Sequence, residues 1–387
     1  MTEGQVDPGE SPSAGEAVGP RSECRTDEPS TRLLSAEVFE ICVQQGGYPD
    51  RWKTLDACPV CQSPRRDVCF VKSGFRHVQC RDCGLVSLDC IPPEDVLQKL
   101  YQGEYYSKVR ELFELPLLKG GGGTTPFSAP EAALKELIEN VSRGRGPGVW
   151  LDVGGGFGAF ADLVRRSLPE WRVVLNDWNP RSLEIAREVL VMETTADDAR
   201  ILDASGRRFD VVSAVAVLEH MPDPLDFLKG YGKLLHPGGV LAIVVPHFTR
   251  LSGLVSRASS PAAAPPFHIN LFNRQSLVEL IRRSGLFQDP ETYDRGDTAF
   301  SLMHHVDFSE HFDITIPTPA DPKPRTFMVK PFDTETSRRI NALSAADAVM
   351  KEYFAETDGR NHLVAVAVRL EEADRGGRSS VPPFVSA

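Results

Sequence analysis

The sequence predicts an α/β protein built on a parallel sheet with helices on both faces, and three observations carry that prediction. From residue 130 onward, short apolar runs alternate with longer stretches of helical period. The runs are nearly continuous in Val, Leu, Ile and Ala, as strands buried on both faces must be. The first of them ends in a glycine-rich turn that opens into a helix, "VWLDVGGGFGAF" at 149–160.

Taken in order, "PEAALKELIENV" places Leu134, Leu137, Ile138 and Val141 on one helical face, and "VWLDV" reads as a short buried strand. Phe157, Phe160, Ala161, Val164 and Leu168 repeat as the next helical face. "RVVLND", "FDVVSAV" and "GVLAIVV" are expected as strands, and "PRSLEIAREVL", "PLDFLKGYGKLL" and "RQSLVELIRRSG" as the helices between and after them. In such sheets ligands bind beyond the carboxyl ends of the strands, so chemistry is sought in the loops that follow strands. Residues 247–268 are too long and too rich in Ser, Ala and Pro for an ordinary connection and form a candidate lid. A Pro-rich stretch at 317–331 lies in an insertion at 307–355, and "NHLVAVAVRL" at 361–370 reads as a final strand of a main domain over 130–372. A flexible tail is expected over 373–387.

Ahead of that domain, residues 1–30 carry seven acids against two arginines and few apolar groups, a composition expected to stay disordered. A cysteine module at 55–90 follows, then a linker over 91–129. The linker holds a short helix, an aromatic cluster in "LYQGEYYS" and a glycine run at 120–123. The chain has 387 residues and a net charge of −11, which argues against a large non-specific affinity for nucleic acid. The longest apolar run, "VLAIVV", is too short to cross a bilayer, and the acidic N-terminus lacks an export signal. The expectation is a cytoplasmic protein with no membrane partner and a homodimer as the candidate assembly.

Four of the eight cysteines fall as "CPVC" (Cys58, Cys61) and "CRDC" (Cys80, Cys83). Two residues between thiolates let a tight turn aim both sulfurs at one ion, and the interval suits a hairpin that brings the second pair round. Four thiolates leave no open position, so the expected zinc is structural. Two disulfides are the rival reading. Cys24, Cys42, Cys69 and Cys90 show no such pattern.

Gly154, Gly156 and Gly158 remove the Cβ atoms that would hold a nucleotide-like ligand away from the backbone. By spacing alone, a dinucleotide would also fit Gly154, Gly156 and Ala159, with Asp177 downstream for a ribose. Charge separates the two ligands. Asp152, at the strand end, would repel a pyrophosphate but match the α-ammonium of S-adenosylmethionine. Asp177 would take the ribose hydroxyls beside Trp178, and Asp197 or Asp198 the adenine amine.

"LDVGGGFG", "LNDWNP", "FDVVSAVAVLEHMPDP" and "LLHPGGVLAIVVP" together resemble the successive motifs of the class I S-adenosylmethionine-dependent methyltransferases. The four-cysteine module, "LYQGEYY" and "HINLFNRQSL" are similar to a bacterial subgroup with an N-terminal zinc ribbon, which includes sugar C-methyltransferases. The resemblance implies a Rossmann-like seven-stranded sheet with "NHLVAVAVRL" as its closing antiparallel strand. The sugar enzymes carry a substantial further C-terminal domain, whereas about a hundred residues remain here after the last clear helix, which argues against a nucleotide-sugar acceptor. His220 stands where a general base could face the methyl group, or is a loop-bonding histidine; Glu219 would orient it or contact the cofactor. His247 and His268 flank the lid and are expected to pack or cap. Tyr105 and Tyr106 are expected in core or closing over the site. The leading expectation is methyl transfer to oxygen or carbon of a small-molecule acceptor. An RNA methyltransferase gripping nucleic acid with its zinc ribbon, and a non-catalytic binding protein that keeps the fold, are the alternatives.

Overall fold

The computed structural model describes residues 52–72, 75–119, 130–248, 257–260, 262–298, 312–314, 327–329, 334–357 and 360–371. The acidic segment 1–30, Cys24, Cys42, the glycine run at 120–123 and the tail at 373–387 lie outside the described residues.

The N-terminal part contains β1 (Lys53–Thr54), β2 (Arg66–Lys72), β3 (Phe75–Cys80), β4 (Val86–Leu88) and β5 (Cys90–Ile91), then helices α1 (Glu94–Gln102) and α2 (Glu104–Lys119). Between the two cysteine pairs β2 and β3 form the hairpin that the spacing requires. The module does not finish its own sheet. Its order is β11-β4-β3-β2, and β11 (Asn270–Leu271) comes from far downstream. Helix α2 is an element the sequence reading missed, because Pro116 lies inside it and its apolar residues form no clear stripe.

From residue 131 the chain runs α3 (Glu131–Ser142), β6 (Val149–Val153), α4 (Ala159–Ser167), β7 (Arg172–Asn176), α5 (Pro180–Leu190), β8 (Glu193–Thr195) and α6 (Ala199–Ala204). Next come β9 (Phe209–Val215), a single 3-10 turn at Leu218–His220, α7 (Pro224–Lys233) and β10 (Leu235–Pro246). Past β11 lie α8 (Arg274–Ser284), β12 (Glu291–Thr298), the paired strands β13 (Phe312–Ile314) and β14 (Phe327–Val329), α9 (Thr334–Thr357) and β15 (Arg360–Val368).

The main sheet has the order β12-β15-β10-β9-β6-β7-β8. Strands β10, β9, β6, β7 and β8 are parallel, and β15 enters antiparallel beside β10 from Val240↔Val368 to Pro246↔His362. The Rossmann-like seven-stranded arrangement is therefore present, with "NHLVAVAVRL" as its antiparallel strand. Alternate side chains of each central strand feed two cores. Trp150 and Val211 join α3, α4 and α5 through Leu137, Phe160, Val164 and Leu183. Leu151 and Val212 join α6, α7 and α8 through Leu202, Leu228 and Leu277. The second core is continuous with Cys58, Val60, Cys80, Cys83 and Leu85, so the cysteine module packs on the sheet rather than hanging from it.

Local chemistry fixes the element ends that matter. Asn179 caps α5, its side-chain oxygen accepting from Arg181 N and Ser182 N, with Pro180 at the first helical position. Asn273 caps α8 in a reciprocal box with Ser276 and also donates from Nδ2 to the Gly84 carbonyl at 2.8 Å. Gly84 has φ of +72° and presses against Asn273, so one asparagine joins the turn after Cys83 to the helix after β11. Asn273→Ala should therefore lower the unfolding free energy by about 1–2 kcal/mol, the loss of a cap and of a second hydrogen bond. Urea denaturation reads this, and an unchanged midpoint would show that the joint carries no stability.

Candidate active site

The loops at the carboxyl ends of β6, β7, β9 and β10 border a cleft of about 1770 Å³, whose other wall comes from the N-terminal module and α1. At the end of β6, Asp152 is buried and accepts a hydrogen bond from Ser213 Oγ at 2.7 Å. Ser213 in turn accepts from Trp150 Nε1 at 2.8 Å. The other carboxyl oxygen, Oδ2, is buried without a hydrogen-bond partner and lies against Gly155. Burial pushes the Asp152 carboxyl up to about 7; the Ser213 bond opposes this and the Asp177 charge adds to it.

The glycine loop takes the left-handed conformation at Gly154 (φ +64°), Gly156 (φ +58°) and Gly158 (φ +90°). Gly154 and Gly155 face the cleft, and Gly158 is the N-cap residue of α4. Gly156 has a different neighbour. A Cβ there would run into the guanidinium of Arg110, while its N–H donates to Asp177 Oδ2 at 2.8 Å. Asp177, at the end of β7, also accepts from Asn179 N at 2.8 Å. Burial raises its carboxyl, and the backbone N–H groups of Asn179 and Gly156, with Arg110, act in the opposite direction.

Arg110 is a site residue the sequence reading missed. It sits on α2, paired through Nε and Nη2 with Glu114 at 2.6 and 2.7 Å, and its guanidinium lies over the rings of Phe157 (5.0 Å) and Tyr106 (5.6 Å). The pair at i and i+4 was the one available signal. On the far side, Asn176 Nδ2 donates to Asp197 O at 2.9 Å and Tyr231 Oη donates to Asn176 Oδ1 at 3.0 Å. Asp197, Asp198, Phe227 and Tyr231 line this end of the cleft. Asp197 accepts from Thr195 Oγ1, and Asp198 caps α6 and pairs with Arg200. Trp178 lines the cleft half-exposed, with Gln102 donating to its carbonyl.

His220 ends the short turn after β9. Its Nδ1 lies 2.8 Å from the Phe267 carbonyl and 2.9 Å from Tyr101 Oη, and Tyr101 Oη is 3.0 Å from the same carbonyl. A carbonyl only accepts, so this contact favours a proton on Nδ1 and leaves Nε2 with a lone pair. Burial holds His220 down to about 3, with His268 and Arg110 acting in the same direction. Glu219 is buried with both oxygens unpartnered, and burial pushes its carboxyl up to about 8. The two side chains approach to 4.0 Å, and burial pushes each toward its neutral form. His268 stacks edge-on to His220 at 4.9 Å and is held by the Ala262 carbonyl at 2.7 Å. His247 contacts the Arg360 carbonyl and Asp294 at the sheet end. Of the lid at 247–268, Phe267 and His268 are packed over the site, and 249–256 lie outside the described residues, as does the Tyr105 side chain. Tyr101 was not singled out in the sequence, because the quoted aromatic run gives no hint which ring turns toward the loop after β9.

Away from the cleft, Cys58, Cys61, Cys80 and Cys83 bring their sulfurs within 4.8 Å of one another, with Cys58–Cys83 at 3.6 Å and Cys61–Cys80 at 3.4 Å. All four thiols are free. A zinc bound by four sulfurs at about 2.3 Å spaces them about 3.8 Å apart, so this donor set fits the ion.

Residues 128–287 match the family model described as a methyltransferase domain. A ubiquinone biosynthesis O-methyltransferase of Cereibacter sphaeroides is 37% identical over 99 residues, 24% of this chain and 38% of that protein. The corresponding Haemophilus ducreyi protein is 32% identical over 102 residues, 24% of this chain and 42% of its own length. The matched stretch thus spans well under half of these relatives. Among solved structures, the [4+2]-cyclase SpnF aligns at 18% identity over 72% of this chain and 98% of its own, with a TM-score of 0.44. A methyltransferase from Archaeoglobus fulgidus aligns at 16% identity over 68% and 100%, with a TM-score of 0.42. Residues 128–287 thus match a methyltransferase domain, the stretch that carries the glycine loop, the acids at the strand ends and His220.

Proposed function

We propose that this protein transfers a methyl group from S-adenosylmethionine to oxygen or carbon of a small-molecule acceptor. One juxtaposition carries the reading: a buried acid with an unpartnered oxygen, Asp152, and a histidine that burial holds toward its neutral form, His220, face the same cleft. The bound cofactor supplies an electrophilic methyl on a sulfonium, whose positive charge lowers the barrier to displacement. Asp152 would hold the α-ammonium, Arg110 the carboxylate, Asp177 the ribose hydroxyls, and Asp197 or Asp198 the adenine amine. His220 Nε2 would take the proton from the acceptor's hydroxyl or carbon acid. Glu219, protonated at neutral pH, would donate a hydrogen bond to an acceptor oxygen. Tyr106 and Phe267 would shield the site from water.

A structural zinc on Cys58, Cys61, Cys80 and Cys83 belongs to the same proposal. It would hold the module against α8 and so keep the acceptor wall in place. Three of the module's four arginines weigh against the RNA reading, because Arg65 pairs with Asp82, Arg76 with Asp89 and Arg81 with Asp67. Their charge is largely neutralised within the module.

The Asp152 carboxyl must ionise to meet an ammonium group. S-adenosylhomocysteine affinity, measured by calorimetry, should therefore rise with pH by up to about tenfold per unit below about 7 and level off above it. Asp152→Asn should weaken binding and flatten that dependence; no binding by the wild type at any pH would end the proposal. In the cofactor-free protein the same burial acts on stability with the opposite sense. Asp152 and Glu219 have folded values, about 7 and about 8, above their unfolded ones. Their contribution is complete below the unfolded carboxyl range and is lost as pH rises through those values, while the buried His220 and His77, held down to about 3 and about 4, act in the opposite sense up to about pH 6.5. Tm should therefore fall chiefly between about pH 6.5 and 8, as scanning calorimetry would show. His220→Ala should keep S-adenosylhomocysteine affinity while lowering label transfer into metabolite extracts by roughly 10²–10⁴-fold. Metal analysis should find about one zinc per chain, and Cys83→Ser should abolish retention of the ion.

A further inference from the structure

We propose that Asn179 is a positioning residue that ties the cofactor pocket to the base, holding Tyr101 and through it His220; this rests on the methyltransferase reading above. Asn179 is buried, and each of its polar groups is engaged. Its backbone N–H donates to Asp177 Oδ1 at 2.8 Å, on the carboxylate assigned to the ribose. Its side-chain oxygen caps α5. Its amide nitrogen reaches across the cleft floor and donates to the Tyr101 carbonyl at 2.7 Å, with Ser107 Oγ 3.4 Å away.

The Tyr101 carbonyl lies in the last turn of α1, where a helix leaves carbonyls without an internal partner. Asn179 supplies that partner and fixes the backbone that carries the phenol. The phenol is in turn caged by Tyr106, Trp178 and Phe267 at centroid distances of 5.2, 5.8 and 5.7 Å. Its oxygen touches both His220 Nδ1 and the Phe267 carbonyl, the two groups whose contact selects the histidine tautomer. The path therefore runs from Asp177 through Asn179 and Tyr101 to the nitrogen opposite the one that would accept the proton. A cap alone requires only an oxygen; the amide nitrogen of this asparagine is directed at another element.

Asn179→Ser separates the two roles, since serine caps a helix but is too short to reach Tyr101. In protein labelled with ¹⁵N histidine, with the His220 signals identified by their loss in His220→Gln, the wild type should show the Nδ1–H tautomer alone. Asn179→Ser should show a mixture of tautomers while binding S-adenosylhomocysteine within about threefold of wild type. Tyr101→Phe should reproduce that spectrum, and the double variant should add nothing to it. An unchanged His220 spectrum in Asn179→Ser overturns the proposal. So does a loss of S-adenosylhomocysteine affinity beyond about thirtyfold, which would place Asn179 in the cofactor contact itself. Should Asn179→Ser not fold, the Tyr101→Phe spectrum decides, and a wild-type spectrum there overturns the link. Absence of S-adenosylhomocysteine binding by the wild type would instead defeat the methyltransferase reading, and the tautomer comparison would still be read.

Discussion

The hydrogen bond from Ser213 to Asp152 is the constraint around which the domain is arranged. It lets a carboxylic acid end a strand buried on both faces, a position where an unaccompanied charge would be excluded. Only one of the two oxygens is satisfied, and burial raises the carboxyl toward its neutral form. The left-handed glycines next to it, the packing of Trp150 behind Ser213, and the acid at the end of β7 surround that buried oxygen. The same logic recurs at His220 and Glu219, which are neutral because they are buried and face the same cleft. Electrostatics here is prepared by desolvation and awaits ligands to complete it.

The N-terminal module shares in this arrangement. Its sheet is completed by β11, and the backbone N–H of Ile269, just before β11, donates to the Glu219 carbonyl while the Leu88 N–H donates to Ile269. A short segment thereby links the module, the neutral carboxyl and the histidine that follows it. Asn273 adds a side-chain tie from the other end of β11. This side of the cleft is thus built by two parts of the chain that are distant in sequence.

What the sequence made legible was whatever local period or spacing encodes. The buried strands are continuous apolar runs, the helices between them carry clean stripes, and the two Cys-x-x-Cys pairs announce a tetrahedral cluster before any fold is known. The glycine loop and the acids at strand ends were legible for the same reason. What lay beyond it depends on contacts across the chain. Arg110 has no motif, and α2 hides behind Pro116. Tyr101 becomes notable only when Phe267, more than 160 positions later, brings its carbonyl to the same point. Strand β12, "ETYDRGDT", is too polar to read as a strand because it is the sheet edge. Asp198 was a candidate ligand from its place before β9, and its cap on α6 could be seen only once that six-residue helix was found.

The place of β15 has a consequence for how the chain is made. During translation β10 emerges more than a hundred residues ahead of the strand that flanks it, so its row of Val, Leu and Ile must wait with one edge unpaired. A ribosome-bound intermediate of this kind leaves that strand edge unpaired for the time needed to synthesise the stretch up to β15.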